Sequence, residues 1–294
     1  MLVVPIVAWG KHHVAMAKLC IASLMAPGNL PDVESRLQIY TDSPGEFAGR
    51  EVYTIEVSPK QKHHITAICY EQAMSLGHPI VPVASDMVCS AGMLAAIEKH
   101  AHSARLVMIP VLRAVSELMM PELPLNNGVI NLPPRELCRI GFSKIHPLQL
   151  RMFRENMPSV SQPTTIFRRK GDTIVARGFH MHPIMMRLKV FKGMAQKCEK
   201  TGIDGEIVNG VDQADIHMVT DSDEMVVFDL SSSNYDWEPG WRGKGIVDAL
   251  AWAKSRTRKI HRWFFKHECY LHAGEIERLP PDPWIDDLCK KLNA

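Results

Sequence analysis

VVPIVAWG at residues 3–10, RLQIYTDS at 36–43 and IVPVASDMVCS at 80–90 are apolar runs that stop on polar residues, and helix-like stretches separate them. Alternation of this kind is the pattern of strands joined by crossover helices, which gives a parallel sheet covered by helices. The fold class read from the sequence is α/β: a mixed, mostly parallel sheet flanked by helices, with a smaller helical region at the C-terminus. Such sheets bind ligands outside the carboxyl ends of their strands. Asp42 and Asp86, each just beyond a run, are therefore expected to face the ligand crevice.

Outward from these runs the pattern continues. Residues 12–31 place Val14, Ala17, Leu19, Ile21, Leu24 and Met25 at mostly helical intervals before Pro27-Gly28 ends the segment. EVYTIEV (51–57) reads as a short strand, and Lys60 to His78 as a helix that Gly77 terminates. Pro82 inside IVPVAS predicts an irregularity in that strand. A helix over 92–102 and an apolar strand over 104–115 follow, then a loop rich in Pro and Asn (121–134) with a boundary near Leu123. Residues 133–153 read as helix punctuated by Pro147, TTIFRR and TIVARGFHMHP as strands, and 215–230 as a hairpin with its acidic cluster at the turn. NYDWEPGWRGKG then leads to a C-terminal helical region, so the expected organisation is a domain over 1–230 and a mainly helical extension over 231–294 packed on it.

Composition excludes several classes. The 294 residues are 46% hydrophobic and 22% charged, an ordinary globular balance, and a net charge of +2 is too weak by itself to argue for nucleic acid, so any basic partner site must be local. Seven scattered cysteines without a CxxC pair fit a reducing compartment, so the cytoplasm is expected. The apolar N-terminal run lacks a basic lead and is interrupted by Lys11-His12-His13, and no run approaches the roughly 20 apolar residues of a membrane span. GxGxxG after the first strand, GxxxxGK[ST], GxSxG and HExxH are all absent.

Four groups of residues carry possible chemistry. Asp86, at the end of an apolar strand, suits a hard divalent cation bridging two phosphates, or equally caps a helix, as Ser85 or Ser90 would. In Phe179-His180-Met181-His182, residues two apart share one side if the segment is a strand, and Arg177 and Arg187 flank the pair, as at an anion site. Thr220-Asp221-Ser222-Asp223-Glu224 contains a literal DxD, which is either a metal motif or a polar turn. Asp204, in TGIDGE, is a carboxylate that also reads as a turn. KSRTRKIHRWFFKH (254–267) interleaves basic and aromatic residues; it reads as a surface helix burying Ile260, Trp263, Phe264 and Leu271, or as a face for an acidic or phosphate-bearing partner or a membrane surface.

Taken in order, AWG, SLMAPGNLP, ASDMVCSAGMLAAIEKH, RELCRIGFSKIHP, GFHMHP and DIHMVTDSDEM resemble a poorly characterised family of bacterial glycosyltransferases of the GT-A type, over Val7 to Met225. The resemblance implies a GT-A-like, Rossmann-type sheet and a nucleotide-diphosphate sugar as donor, with Trp9, Asp42, Asp86, His180 and Arg177 on the donor. It implies a Mn²⁺ or Mg²⁺ ion on Asp86 with His182, and Asp204 or Asp223 as the base that deprotonates the acceptor. Ala84 and Val88 stand where the second acid of a metal motif would be. The implied acceptor is a glycan, a lipid-linked group or a protein. The implied location is the cytoplasm, including the inner face of the membrane. A nucleotidyltransferase and a non-catalytic module of the same fold are the rival readings; the first would need a Gly-rich basic loop where Trp9-Gly10-Lys11-His12-His13 stands.

Overall fold

The computed structural model describes residues 1–56, 62–159, 164–187, 194–201, 203–235 and 246–293. The fold is mixed α/β, with several small sheets and helices around them. The first sheet begins with β1 (Leu2–Ala8), followed by helix α1 (Gly10–Leu24), β2 (Ser35–Thr41) and β3 (Val52–Thr54). These three strands are parallel, with β1 and β2 in continuous register from Leu2↔Ser35 to Ala8↔Thr41. All seven residues of β1 are buried, with Val3 and Val7 on one side and Leu2, Val4, Ile6 and Ala8 on the other. Burial on both faces is what an uninterrupted apolar run encodes in a parallel sheet.

Helix α2 (Lys62–Met74) packs on β1, and Gly77, at φ +78°, ends the excursion. The expected strand at 80–85 is reduced to Ile80, which bridges Val3 in parallel and Met186 in antiparallel fashion. Pro82 lacks an N–H to continue the ladder, the irregularity its position predicts. Next come β4 (Met87–Cys89), α3 (Met93–His100), β5 (Leu106–Ile109) and β6 (Leu112–Val115). The run 104–115, read as one strand, is therefore two strands in different sheets, divided at Pro110.

Helix α4 (Ser116–Met119) precedes the Pro- and Asn-rich stretch, which holds a small hairpin of β7 (Leu125–Asn126) and β8 (Val129–Ile130). Its two central residues, Asn127 and Gly128, have φ of 50° and 79°, as a tight hairpin turn demands. Helices α5 (Pro134–Phe142) and α6 (Pro147–Leu150) follow, then β9 (Thr165–Lys170), β10 (Thr173–Gly178), β11 (His182–Met186), α7 (Met194–Thr201), α8 (Ile203–Glu206), β12 (Ile216–Met218) and β13 (Val227–Ser231). After residue 231 lie α9 (Ile246–Arg256), α10 (Lys259–Phe265), β14 (Cys269–His272) and α11 (Pro283–Asn293).

Through Ile80 the first sheet extends to β11, β5 and β12, giving the order β3-β2-β1-Ile80-β11-β5-β12, parallel throughout except for β11. A second sheet has the order β4-β13-β6, and a third, antiparallel, the order β14-β10-β9. The hairpin expected over 215–230 is not formed: β12 runs parallel to β5, while β13 lies between β4 and β6. The acidic segment between them is a crossing from one sheet to the other, since Ile216–Met218 pairs with β5 and Val227–Ser231 with β4 and β6. The C-terminal part buries Phe265, Ile285, Leu288 and Leu292 against Ile166 and Phe179, with the Phe179 and Phe265 rings stacked at 4.1 Å. It also contributes β14 to the third sheet.

Candidate functional site

Neighbouring strands leave β1 in opposite directions, β2 on one side and the Ile80 segment on the other. At such a reversal of strand order the connections at the carboxyl ends part and leave a crevice. A cleft of about 680 Å³ lies there. Trp9, following β1, and Ala84, Ser85 and Asp86, following the Ile80 segment, line it together with His12, Lys62, Arg113 and the residues after β13.

The second sheet supplies the charged centre. Asp229 on β13 stands directly opposite Arg113 on β6, and its Oδ2 accepts from Arg113 Nη2 at 2.6 Å and Nε at 3.1 Å. On the other side of β13, the main-chain N–H of Leu230 donates to the carbonyl of Asp86 at 2.8 Å, which brings the Asp86 carboxyl to Asp229. Asp229 Oδ1 is buried with no hydrogen-bond donor of its own. Burial first, and then the neighbouring Asp229 carboxylate, push the Asp86 carboxyl well above the usual carboxylate range. Two facing carboxylates of this kind are stable only with a proton or a cation between them. Burial works against the charge of Arg113, but Asp229 and the Tyr235 hydroxyl hold the guanidinium above its ordinary value. The guanidinium also lies 5.0 Å from the Tyr235 ring centre.

The start of α1 also lines the cleft. Trp9 and His13 rings pack at 4.6 Å, and His13 Nδ1 hydrogen-bonds Ser85 Oγ at 3.1 Å. Burial, with His12 and Lys62 nearby, lowers the His13 pKa and favours the neutral imidazole. A second cavity of about 380 Å³ adjoins the cleft and shares His12 and Ser232 with it. Its Glu117 is held down to about 2 by the hydrogen bond from Ser232 and by main-chain N–H donors, Ser233 among them.

Of the residues singled out in the sequence, Trp9 and Asp86 meet in the cleft. Asp42 sits behind it, accepting the Gly10 N–H with both oxygens at 2.9 and 3.1 Å and so capping α1, whose own N-cap residue Trp9 makes no side-chain cap. His180 and His182 do not share a side, because β10 ends at Gly178 and β11 begins at His182, which leaves His180 in the connection. His182 Nε2 hydrogen-bonds the carbonyl of Pro82 at 3.2 Å, whereas His180 packs by Trp252 and His261. Arg177 donates to the carbonyls of Phe265 and Lys266 at the end of α10 and to Glu268 at 2.9 Å. Asp223 is gripped by Arg135 through Nε at 2.8 Å and Nη2 at 2.7 Å, and Asp221 accepts from His272 at 2.8 Å, so both acids of the literal DxD already have partners. Asp204 lies in α8, and its side chain is outside the described residues.

Sequence reasoning missed Arg113 and Asp229. The signal was present: each is a lone charge inside an apolar run, LVMIPVLRAV and MVVFDLS, and a buried charge requires an opposite partner. Lys62, His12 and His13 carried no comparable signal, since charged residues at helix starts are ordinary surface residues.

No family model and no curated protein matches the chain. Among solved structures, S. aureus TarS aligns with a TM-score of 0.28 and 16% identity, covering 40% of this chain and 23% of that one. The matched part thus spans under a quarter of that chain, and a likeness of this size carries no argument. No helix among the described residues is long and apolar enough to cross a membrane.

Proposed function

We propose that the protein is a GT-A-type glycosyltransferase that binds a nucleotide-diphosphate sugar in the cleft at the β1 reversal. The observation that carries this reading is the Asp86–Asp229–Arg113 group, whose Asp86 and Arg113 line, with Trp9, a cleft formed beyond strand ends. In this reading Trp9 offers an apolar face to the nucleobase. Lys62, Arg113 and His12 meet the diphosphate, whose negative charge grows as the bond to the sugar breaks. The mixed sheet, with its single antiparallel strand β11, supports the GT-A assignment.

The two carboxyls fit a divalent cation, because Asp229 Oδ1 lacks a donor and Asp86 faces it with oxygen, the ligand type that Mg²⁺ and Mn²⁺ prefer. A cation held by Asp86 and Asp229 would offset charge on the departing diphosphate. Arg113 holds Asp229 in place through its Oδ2, and Ser85 keeps the His13 ring fixed. Of the bases expected earlier, Asp223 is committed to Arg135 and the Asp204 side chain lies outside the described residues; we assign deprotonation of the acceptor to His13, whose lowered pKa leaves the imidazole free to accept a proton at neutral pH.

The test is a thermal-shift and nucleotide-release screen against UDP-, GDP-, CMP- and dTDP-sugars, with and without Mn²⁺, on the wild type and on Asp86→Ala and Trp9→Ala. A donor that raises the melting temperature and releases nucleotide, with both effects lost in Asp86→Ala, supports the transferase. Binding without release with any acceptor favours a binding module, and the absence of any shift overturns the reading.

A further inference from the structure

Away from the cleft, three side chains from three elements converge. His100 closes α3, His217 is the middle residue of β12, and Glu224 lies in the crossing to β13. His100 Nε2 and His217 Nε2 each lie 2.9 Å from the same atom, Glu224 Oε1. The two imidazoles are stacked, with centres 3.6 Å apart and planes 12° from parallel. All three side chains are about a quarter exposed, so solvent ions reach them. Burial alone would raise the Glu224 carboxyl, but the hydrogen bond and charge from His217, and then those from His100, hold it below its usual range.

We infer that His100, His217 and Glu224 form a binding site for a first-row transition-metal dication, best suited to Zn²⁺. The donor set decides the metal. Two imidazole nitrogens and one carboxylate oxygen are the borderline ligands that zinc takes, whereas Mg²⁺ and Ca²⁺ require oxygen. The spacing needs a small adjustment: bonds of about 2.0–2.1 Å in a tetrahedron put donors about 3.3 Å apart, so each nitrogen moves about 0.4 Å from the carboxylate oxygen, and the stacked rings tilt apart so that both nitrogens point at the ion. Water completes the fourth position. The other convergent group among the described residues, Asp221, Asp223 and His272, fails the same argument, because the Arg135 guanidinium already occupies Asp223. The bound ion would tie the end of α3 to β12 and to the crossing just before β13, a structural clamp on the edge of the first sheet.

Tag-free, EDTA-treated full-length protein is titrated with Zn²⁺ by calorimetry and with Co²⁺ by visible absorption, and its melting temperature is recorded with and without Zn²⁺. The expected result is one equivalent bound, a tetrahedral Co²⁺ spectrum and a melting temperature that climbs with Zn²⁺ concentration. Glu224→Gln and His217→Ala are expected to lower affinity by at least the roughly 10–100-fold that loss of a supporting outer partner alone costs, while His102→Ala, on the surface nearby, leaves it unchanged. Failure of the wild type to bind one equivalent overturns the inference without reference to any variant. Binding that survives in Glu224→Gln and His217→Ala places the ion elsewhere and overturns it equally.

Discussion

Arg113 holds the carboxylate at the centre of the second sheet, and removing it isolates the consequence of that arrangement. In Arg113→Gln, Asp229 keeps its place opposite residue 113 but loses both N–H donors, and Asp86 remains beside it. Breaking a buried pair costs about 3–5 kcal/mol, and with side-chain exposures of 25% and 15% the low end applies, about 3 kcal/mol. In a chain of this size about 3 kcal/mol is a loss on the order of 6 °C in melting temperature. Scanning fluorimetry of the wild type, Arg113→Gln, Asp229→Asn and the double variant measures it. The double variant should regain most of the loss, since the uncompensated charge is gone. A loss within a degree of zero, or strict additivity in the double variant, would refute the reasoning.

Asp86→Asn carries the opposite sign. Because burial and Asp229 raise the Asp86 pKa in the fold, the wild type binds its proton more tightly folded than unfolded and loses that stabilisation as the pH rises above the ordinary carboxylate range. The Asn variant should therefore melt progressively higher relative to the wild type between pH 5 and 8, and equal differences at both pH values would count against the paired carboxyls. Trp9→Ala should weaken donor binding on the order of tenfold, the value of one lost aromatic contact, in a calorimetric titration; an unchanged Kd would move the base elsewhere in the cleft. Asn29 is fully buried and donates to the carbonyls of Ser23 and Ser90 while accepting the Leu94 N–H, so Asn29→Ala should cost about 3 kcal/mol or more, visible as a lowered melting temperature with no change in donor specificity.

The part of the fold that was legible in the sequence was the part set by local pattern. β1 is buried along its whole length, and its run is apolar along its whole length; α1 and α2 end where Pro27-Gly28 and Gly77 stand. Partner choice was not legible. The run 104–115 reads as one strand because nothing local says that β5 and β6 join different sheets, and 215–230 reads as a hairpin because turn residues flanked by apolar ones look alike whether the flanking strands pair with each other or with others. The HxH reading failed on a phase: two histidines share a side only if the strand includes both, and β11 starts at the second.

The same distinction explains the site. The first sheet makes the cleft, since β1 and the Ile80 segment diverge there, and the sequence pattern alone led to it through Asp86. The chemistry is made by the second sheet, in which β13 lies between β4 and β6 and so carries Asp229 between Asp86 and Arg113, residues 143 and 116 positions away in the chain. No spacing motif records a contact of that separation. What records it is cost: Arg113 and Asp229 are charges set in apolar strands, each tolerable there only because the other exists. A charged residue that interrupts an apolar run is therefore a stronger pointer to this centre than Asp221-Ser222-Asp223, whose acids need no explanation on a polar segment and are already matched by Arg135 and His272.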